Sequence, residues 1–318
     1  MRIAYNTWSM ATVPYETFVP ALADIGFGAI AISVVPHYSI GGRRVDNAGA
    51  LGGLSSDDRR HIKQAFRERG LLLPSIIGNQ SLVEPDADSR RHALDFLRQA
   101  VDLCVELAPD GEVPTLNTGT GGTSGDLEHP STQALIVDGL GELADYAATR
   151  GVVVCIEPHV NAPVDTIERA EWLVRTVGHA SLRLDFDVSH FEVQDVPMEH
   201  SVPRLAPLAA AAEVKDQHCR VVGSATSGDG WRVPGNGEGR VTTPDGRELE
   251  FQFLLAGEGT FDLAAYLRLM QRQGFTRPIA FEASVQCQAR PDYDALASAR
   301  SIYQWMADAW QRAGIAPN

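Results

Sequence analysis

Basic residues are scarce in this chain: 27 lysines and arginines stand against 41 aspartates and glutamates, for a formal net charge of -14 and a pI near 5.0. No segment gathers Lys and Arg into a cluster, which excludes a nucleic-acid surface and an anionic-membrane surface, since a polyanion needs such a patch. Cysteine is equally sparse. Cys104, Cys155, Cys219 and Cys287 show no Cys-x-x-Cys spacing, so neither a zinc knuckle nor a disulfide framework is indicated, and a reducing, cytoplasmic setting is expected. No apolar run reaches the roughly 18 residues of a membrane helix. The N-terminus enters a strand pattern directly, without a charged n-region, an apolar h-region or a cleavage site. A small polar substrate fits these absences best.

What is present is a long, apolar-rich chain of 318 residues, 44% hydrophobic, enough for one large α/β barrel. Short apolar runs at 2–7, 29–35, 71–77, 113–117, 152–157, 182–187, 210–215 and 278–282 are bounded by turn residues and alternate with segments of helical period. That rhythm predicts eight parallel strands with helices between them, a single (β/α)8 domain over residues 1–318. Ser56-Asp57-Asp58 opens a helix that stops at Gly70, an apolar stripe runs over 89–107, another helix over 132–150 ends before Gly151, and a further one begins near Asp165 with an acidic first turn.

Two stretches interrupt the rhythm. Residues 36–54, with Gly41-Gly42 and Gly52-Gly53, read as a loop over the barrel mouth. Residues 219–257 include Trp231, a turn signal at Pro244-Asp245-Gly246 and alternation from Glu248 to Leu254, predicting a β-hairpin inserted after the seventh strand. Loops after barrel strands line the active site, so both stretches are expected to shape substrate access or an oligomer contact. The Gly-rich segment 119–125 lacks the Lys-Ser/Thr of a P-loop and reads as a flexible loop before it reads as a phosphate cradle.

The chemistry concentrates at strand ends. Glu157, Asp187 and Glu282 each terminate a separate apolar run, with His190 three residues past Asp187, and such carboxylates converging without a cation would repel one another. Two glutamates, an aspartate and an imidazole suit a hard or borderline divalent ion, Mn2+ first and Mg2+, Co2+ or Zn2+ as alternatives, leaving positions open for substrate oxygens. Glu157 and Glu282 would then move protons beside a polarised carbonyl. His159 shares the side of Glu157 and is a candidate base or donor, and Lys215 shares the side of Glu213 and is a candidate to neutralise an enolate or to balance the acids. His37 and Asn117 are candidate sugar-hydroxyl contacts, and Trp8, at the exit of the first strand, stacks on a sugar face or packs in the core.

Ile156-Glu157-Pro158, Asp187-Val188-Ser189-His190, Val214-Lys215-Asp216, the segment from Gly257 to Asp262, and Phe281-Glu282 occur in an order that resembles the xylose isomerase-like barrels across essentially the whole chain. That family includes sugar-phosphate isomerases and epimerases, ketose 3-epimerases, inosose dehydratases, C-glycoside deglycosidase catalytic subunits and endonuclease IV. The resemblance implies Glu157, Asp187 and Glu282 as metal ligands, the two glutamates also as the acid/base pair, and His190 as a contact to a substrate oxygen. Strand seven departs from the pattern. The family usually has His-x-Lys-Asp there, its histidine being the fourth ligand, where this chain has Glu213-Val214-Lys215-Asp216. Either Glu213 replaces that ligand, or His218 folds back to do so, or only three protein ligands exist.

The expected activity is a divalent-metal-dependent isomerisation or epimerisation of a sugar or keto-sugar. A lyase of the same family, eliminating water or an aglycone from a keto-sugar, is the runner-up, and a non-catalytic sugar-binding subunit stands further off. Cleavage of damaged DNA conflicts with the acidic charge and the few histidines. A homo-oligomer or a complex with a small second subunit is expected.

Overall fold

The computed structural model describes residues 1–108, 112, 114–222, 239–243 and 245–316. Eight parallel strands close a barrel: β1 (Ile3–Asn6), β2 (Ala29–Ser33), β3 (Ser75–Ile77), β4 (Thr115–Thr118), β5 (Val154–Ile156), β6 (Leu182–Asp187), β7 (Ala209–Val214) and β8 (Ile279–Phe281). Neighbours in sequence pair all the way round, and β8 pairs back onto β1 through Ile3↔Ile279 and Tyr5↔Phe281. The strands are buried almost throughout, because helices cover their outer face and inward side chains fill the barrel. Val113, the expected start of the fourth strand, lies outside the described residues.

Helix ends follow their local chemistry. Ser55 caps the helix Ser56–Arg69 in a reciprocal pair with Asp58, and Gly70, at φ 64°, ends it. Asp86, Thr166, Asp262 and Asp294 cap the helices Ala87–Leu107, Ile167–Val177, Leu263–Arg272 and Ala295–Ala313, each cap contributing about 1 kcal/mol. The last of these helices buries Trp310 completely, and the indole donates to the Met1 carbonyl at 3.2 Å, fastening the chain's end against its start. Among the described residues no helix is long and apolar enough to cross a membrane.

Two features lie outside the barrel strands. The stretch expected as a loop holds an antiparallel hairpin, His37–Ile40 against Arg43–Asp46. Gly41 and Gly42 turn it at φ 56° and 74°, the two left-handed positions that a tight two-residue turn requires. After β7 the chain builds a three-stranded antiparallel sheet in the order Asp216–Val221, Glu248–Leu254, Gly239–Thr242. This sheet starts at Asp216, three residues before the expected insertion, because the seventh strand continues past the barrel rim into it. Trp231 and Pro244, named above in that insertion, lie outside the described residues. Two of the sequence marks explain each other here: the Asp216 carboxylate accepts from the backbone N–H groups of Gly257, Gly259 and Phe261, at 2.9, 2.8 and 3.2 Å, and so folds the segment before Asp262 onto the sheet.

The pairing of β6 with β7 shifts register between Leu184 and Asp185: Leu184 faces Ala209, but Asp185 faces Ala211. This irregularity brings Asp187 level with Glu213 at the C-terminal rim.

Candidate active site

Alternation along a strand sends every second side chain into the barrel, and at the C-terminal ends these positions are polar. In β4 the Asn117 amide donates to Asp185 at 2.6 Å and accepts from Thr115 at 2.7 Å. One layer higher, Asn6 at the end of β1 donates to both oxygens of Glu213, at 2.9 Å each, and reaches Glu282 at 3.2 Å. Ser189 donates from its backbone and its hydroxyl to one oxygen of Asp187, at 2.9 and 2.6 Å, which leaves the other oxygen turned toward the centre.

That centre is occupied by the Lys215 ammonium. Nζ stands 3.4 Å from Glu157 Oε1, 3.3 Å from Glu282 Oε1 and 3.2 Å from His190 Nε2, and it bonds Asp187 Oδ2. Lys215 thus places a positive charge among the three strand-end carboxylates. His190 Nε2 also lies 3.0 Å from Glu157 Oε1, while its Nδ1 is buried with no hydrogen-bond partner among the described residues.

The acids separate electrostatically. Burial pushes Asp185, Glu213 and Glu282 up, with neighbouring carboxylates adding to the shift, and Glu282 reaches about 7 against the pull of Lys215. Burial acts in the same sense on Glu157 and Asp187, but Lys215 and His190 outweigh it and hold both below the usual carboxylate range. Desolvation at the crowded mouth pushes the His159 imidazole down to about 4, although its outer edge is open to solvent. His159 stacks on His190 with ring centroids 3.9 Å apart.

Above this cluster lies a cleft of about 380 Å³, with Glu157, His159, Lys215 and Glu282 on its floor and Trp8, Val160, Phe251 and Phe253 on its wall. The three-stranded sheet supplies Phe251 and Phe253, whose rings pack edge to face at 5.2 Å. Trp8 sits in a short turn after β1, held by its backbone N–H donating to Asn6 and by an edge contact to Tyr38 at 4.6 Å.

The structure brings together Glu157, Asp187, His190, Lys215, Glu282 and Glu213, with His159 and Trp8 at the opening, and separates other expected residues from them. His190 is only 1% exposed beneath His159, so the ring lining the cleft is that of His159, whereas the resemblance implies a substrate contact for His190. Asn117 is 2% exposed with both ends of its amide engaged, and it braces Asp185. His37 is exposed on the hairpin and does not line the cleft. His218 lines a different cleft, with Glu192, Asp195 and Thr260. Within segment 119–125 the chain is tightly approached at Gly121, where a Cβ would stand 2.2 Å from Ser81 Oγ, and at Gly122, where it would stand 2.8 Å from Val83, while Gly125 is open. Sequence reasoning missed Asn6, Asp185 and Phe253. Asp185 was within its reach, since it lies two residues before Asp187 and shares its inward side.

The profile described as "Xylose isomerase-like TIM barrel" matches residues 19–308, and the chain belongs to that family. No curated protein matches it in sequence. Similar solved structures include 3-keto-D-glucoside 4-epimerase YcjR from E. coli in its apo form, at 14% identity over 97% of this chain and 99% of that one, TM-score 0.67. D-psicose 3-epimerase in the presence of D-fructose is 14% identical over 99% and 100%, TM-score 0.69. The IOLI protein with a bound zinc atom is 17% identical over 99% and 98%, TM-score 0.68. At these identities the likeness shows the fold.

The family implies a divalent metal. Glu157, Asp187 and His190 each offer one donor atom, all within 4.8 Å of one another. Two carboxylate oxygens and an imidazole nitrogen suit a borderline divalent ion, so the residues fit such an ion in kind and spacing. Glu282, Glu213 and His218 stand outside this donor set.

Proposed function

We propose that the protein is a divalent-metal-dependent isomerase or epimerase that moves a proton next to the carbonyl of a sugar or keto-sugar. The observation that carries this reading is the pair Glu157 and Glu282. Both face one cleft, both lie within reach of a single ammonium, and their environments push their pKa values in opposite directions. Facing the cleft from the ends of β5 and β8, the two carboxyl groups are placed to take a proton from the substrate and to return one. His159 lines the cleft, and with its Nδ1–H donating to the Val160 carbonyl at 2.7 Å its Nε2 is left as an acceptor for a substrate hydroxyl. A divalent ion on Glu157, Asp187 and His190, Mn2+ being the first candidate, supplies polarisation of the carbonyl when bound. The sugar class is also that of the epimerases named among the similar structures.

A second reading, elimination from a keto-glycoside, draws on the apolar wall of Trp8, Phe251 and Phe253, which offers space for a leaving group larger than hydroxyl. One experiment separates the two. The metal-loaded protein is incubated in D2O with a panel of ketoses, inososes and 3-keto-glycosides. Deuterium at carbon without loss of a substituent is expected for the isomerase or epimerase, and release of water or an aglycone for the lyase. No exchange and no release with any member of the panel overturns both.

A further inference from the structure

We infer that Lys215 is the resident cation of the carboxylate cluster, and that a divalent ion reaches Glu157, Asp187 and His190 only by displacing its ammonium. The inference concerns the same site and rests on reading those three side chains as metal donors. Its first support is geometric: Nζ contacts an atom of each residue of the donor set, Glu157 Oε1, Asp187 Oδ2 and His190 Nε2, and Glu282 Oε1 besides. An ion bound to them would stand roughly 2.0 to 2.6 Å from each oxygen. The ammonium would then be left about 3 Å or less from a divalent charge in a largely buried site, where like charges repel strongly.

The second support is the state of strand seven. Glu213 accepts from Asn6 at both oxygens and stands outside the Glu157, Asp187 and His190 donor set, so among the described residues no fourth donor joins that set to offset the lysine. The third lies in composition and mobility. The chain has two lysines, Lys63 and Lys215, and uses arginine for surface ion pairs such as Arg204 with Glu168 and Glu171. Lysine is a compact charge on a flexible stem, and an arginine fork could not leave the same space so readily. Lys215 lines the cleft of about 380 Å³, and its Nζ already lies 5.7 Å from the Phe253 ring centroid, so the displaced ammonium has both room and a π face to approach.

The test uses Co2+ without substrate. On the wild-type protein, an amine-acetylating reagent is applied with and without saturating Co2+, and modification of the two lysines is read by peptide mass. Lys215 is expected to label at least tenfold faster with Co2+, with Lys63 unchanged. In parallel, Lys215→Met is expected to bind Co2+ at least tenfold more tightly than wild type, and its metal-free form to melt at a lower temperature that Co2+ restores. Co2+ binding with no change in Lys215 labelling overturns the displacement and leaves the metal-dependent reading standing. Equal or weaker Co2+ affinity in the variant does the same. Failure of both proteins to bind Co2+ at millimolar concentration overturns the inference together with that reading.

Discussion

The Asn6 amide nitrogen sits between two acids from different strands, 2.9 Å from each oxygen of Glu213 and 3.2 Å from Glu282 Oε2. All three groups are deep in the barrel mouth, and burial pushes both glutamates up. Asn6→Ala leaves these carboxyl groups without their donor and also removes the acceptor that holds the Trp8 backbone N–H. A loss of about 1–3 kcal/mol in urea unfolding is expected. Asn6→Asp keeps the acceptor but adds a third acid, and its loss should be greater at pH 8 than at pH 5. Equal stability of wild type and both variants would remove Asn6 from the site's support.

The barrel and its carboxylates were legible because both rest on short-range patterns. An apolar run ending in Glu157, Asp187 or Glu282 marks a strand exit whichever neighbours it later meets. Lys215 was legible only as a residue on the inward side, since its central place depends on three strands meeting across the barrel. His218 is near strand seven in sequence, but the chain leaves the barrel at Asp216 and enters an antiparallel sheet, which carries His218 into another cleft. The hairpin at 37–46 was announced by Gly41-Gly42 between two short alternating runs, and reading those glycines only as a loop signal missed it.

Segment 119–125 offers a packing test that its composition alone would not suggest. Gly121 has φ 69°, and a Cβ there would collide with Ser81, whereas a Cβ at Gly125 would meet nothing within 4 Å. Gly121→Ala should lower stability by about 1–3 kcal/mol, and Gly125→Ala should leave it within about 0.5 kcal/mol. Thermal unfolding of the two variants side by side checks this, and equal melting temperatures would mean that the segment is free to rearrange.

Glu192, outside the carboxylate cluster, predicts a pH dependence of stability. Burial, with the charges of Glu199, Asp216 and Asp262 adding, pushes its carboxyl up to about 7 against the hydrogen bond from Gln217. The folded protein therefore holds a proton that the unfolded chain releases near its ordinary value of 4.5, so this group's contribution to stability falls as pH rises from about 4.5 to 7. Glu192→Gln keeps a group that can accept from Gln217 and removes the titration. The variant should gain on wild type across that window, by at most about 1.4 kcal/mol per pH unit, and run parallel to it outside. Parallel curves throughout would show that Glu192 ionises normally.

Strand seven decides how the site differs from its relatives. Where the resemblance leads one to expect a histidine ligand, Glu213 is clamped by Asn6, and the donor set within reach of one ion is Glu157, Asp187 and His190. Glu213→His should end the two-oxygen clamp and present a neutral nitrogen from the same inward position. Co2+ affinity, read by titration of its visible absorption, should rise about tenfold or more, because a fourth donor is added and one buried acid is removed. His218→Ala should leave affinity unchanged, since His218 lines the cleft of Glu192 and Thr260. Loss of Co2+ binding in His218→Ala would move the metal centre toward that second cleft. Unchanged affinity in Glu213→His would mean that position 213 lies too deep in the barrel to reach the ion, whichever donor it carries.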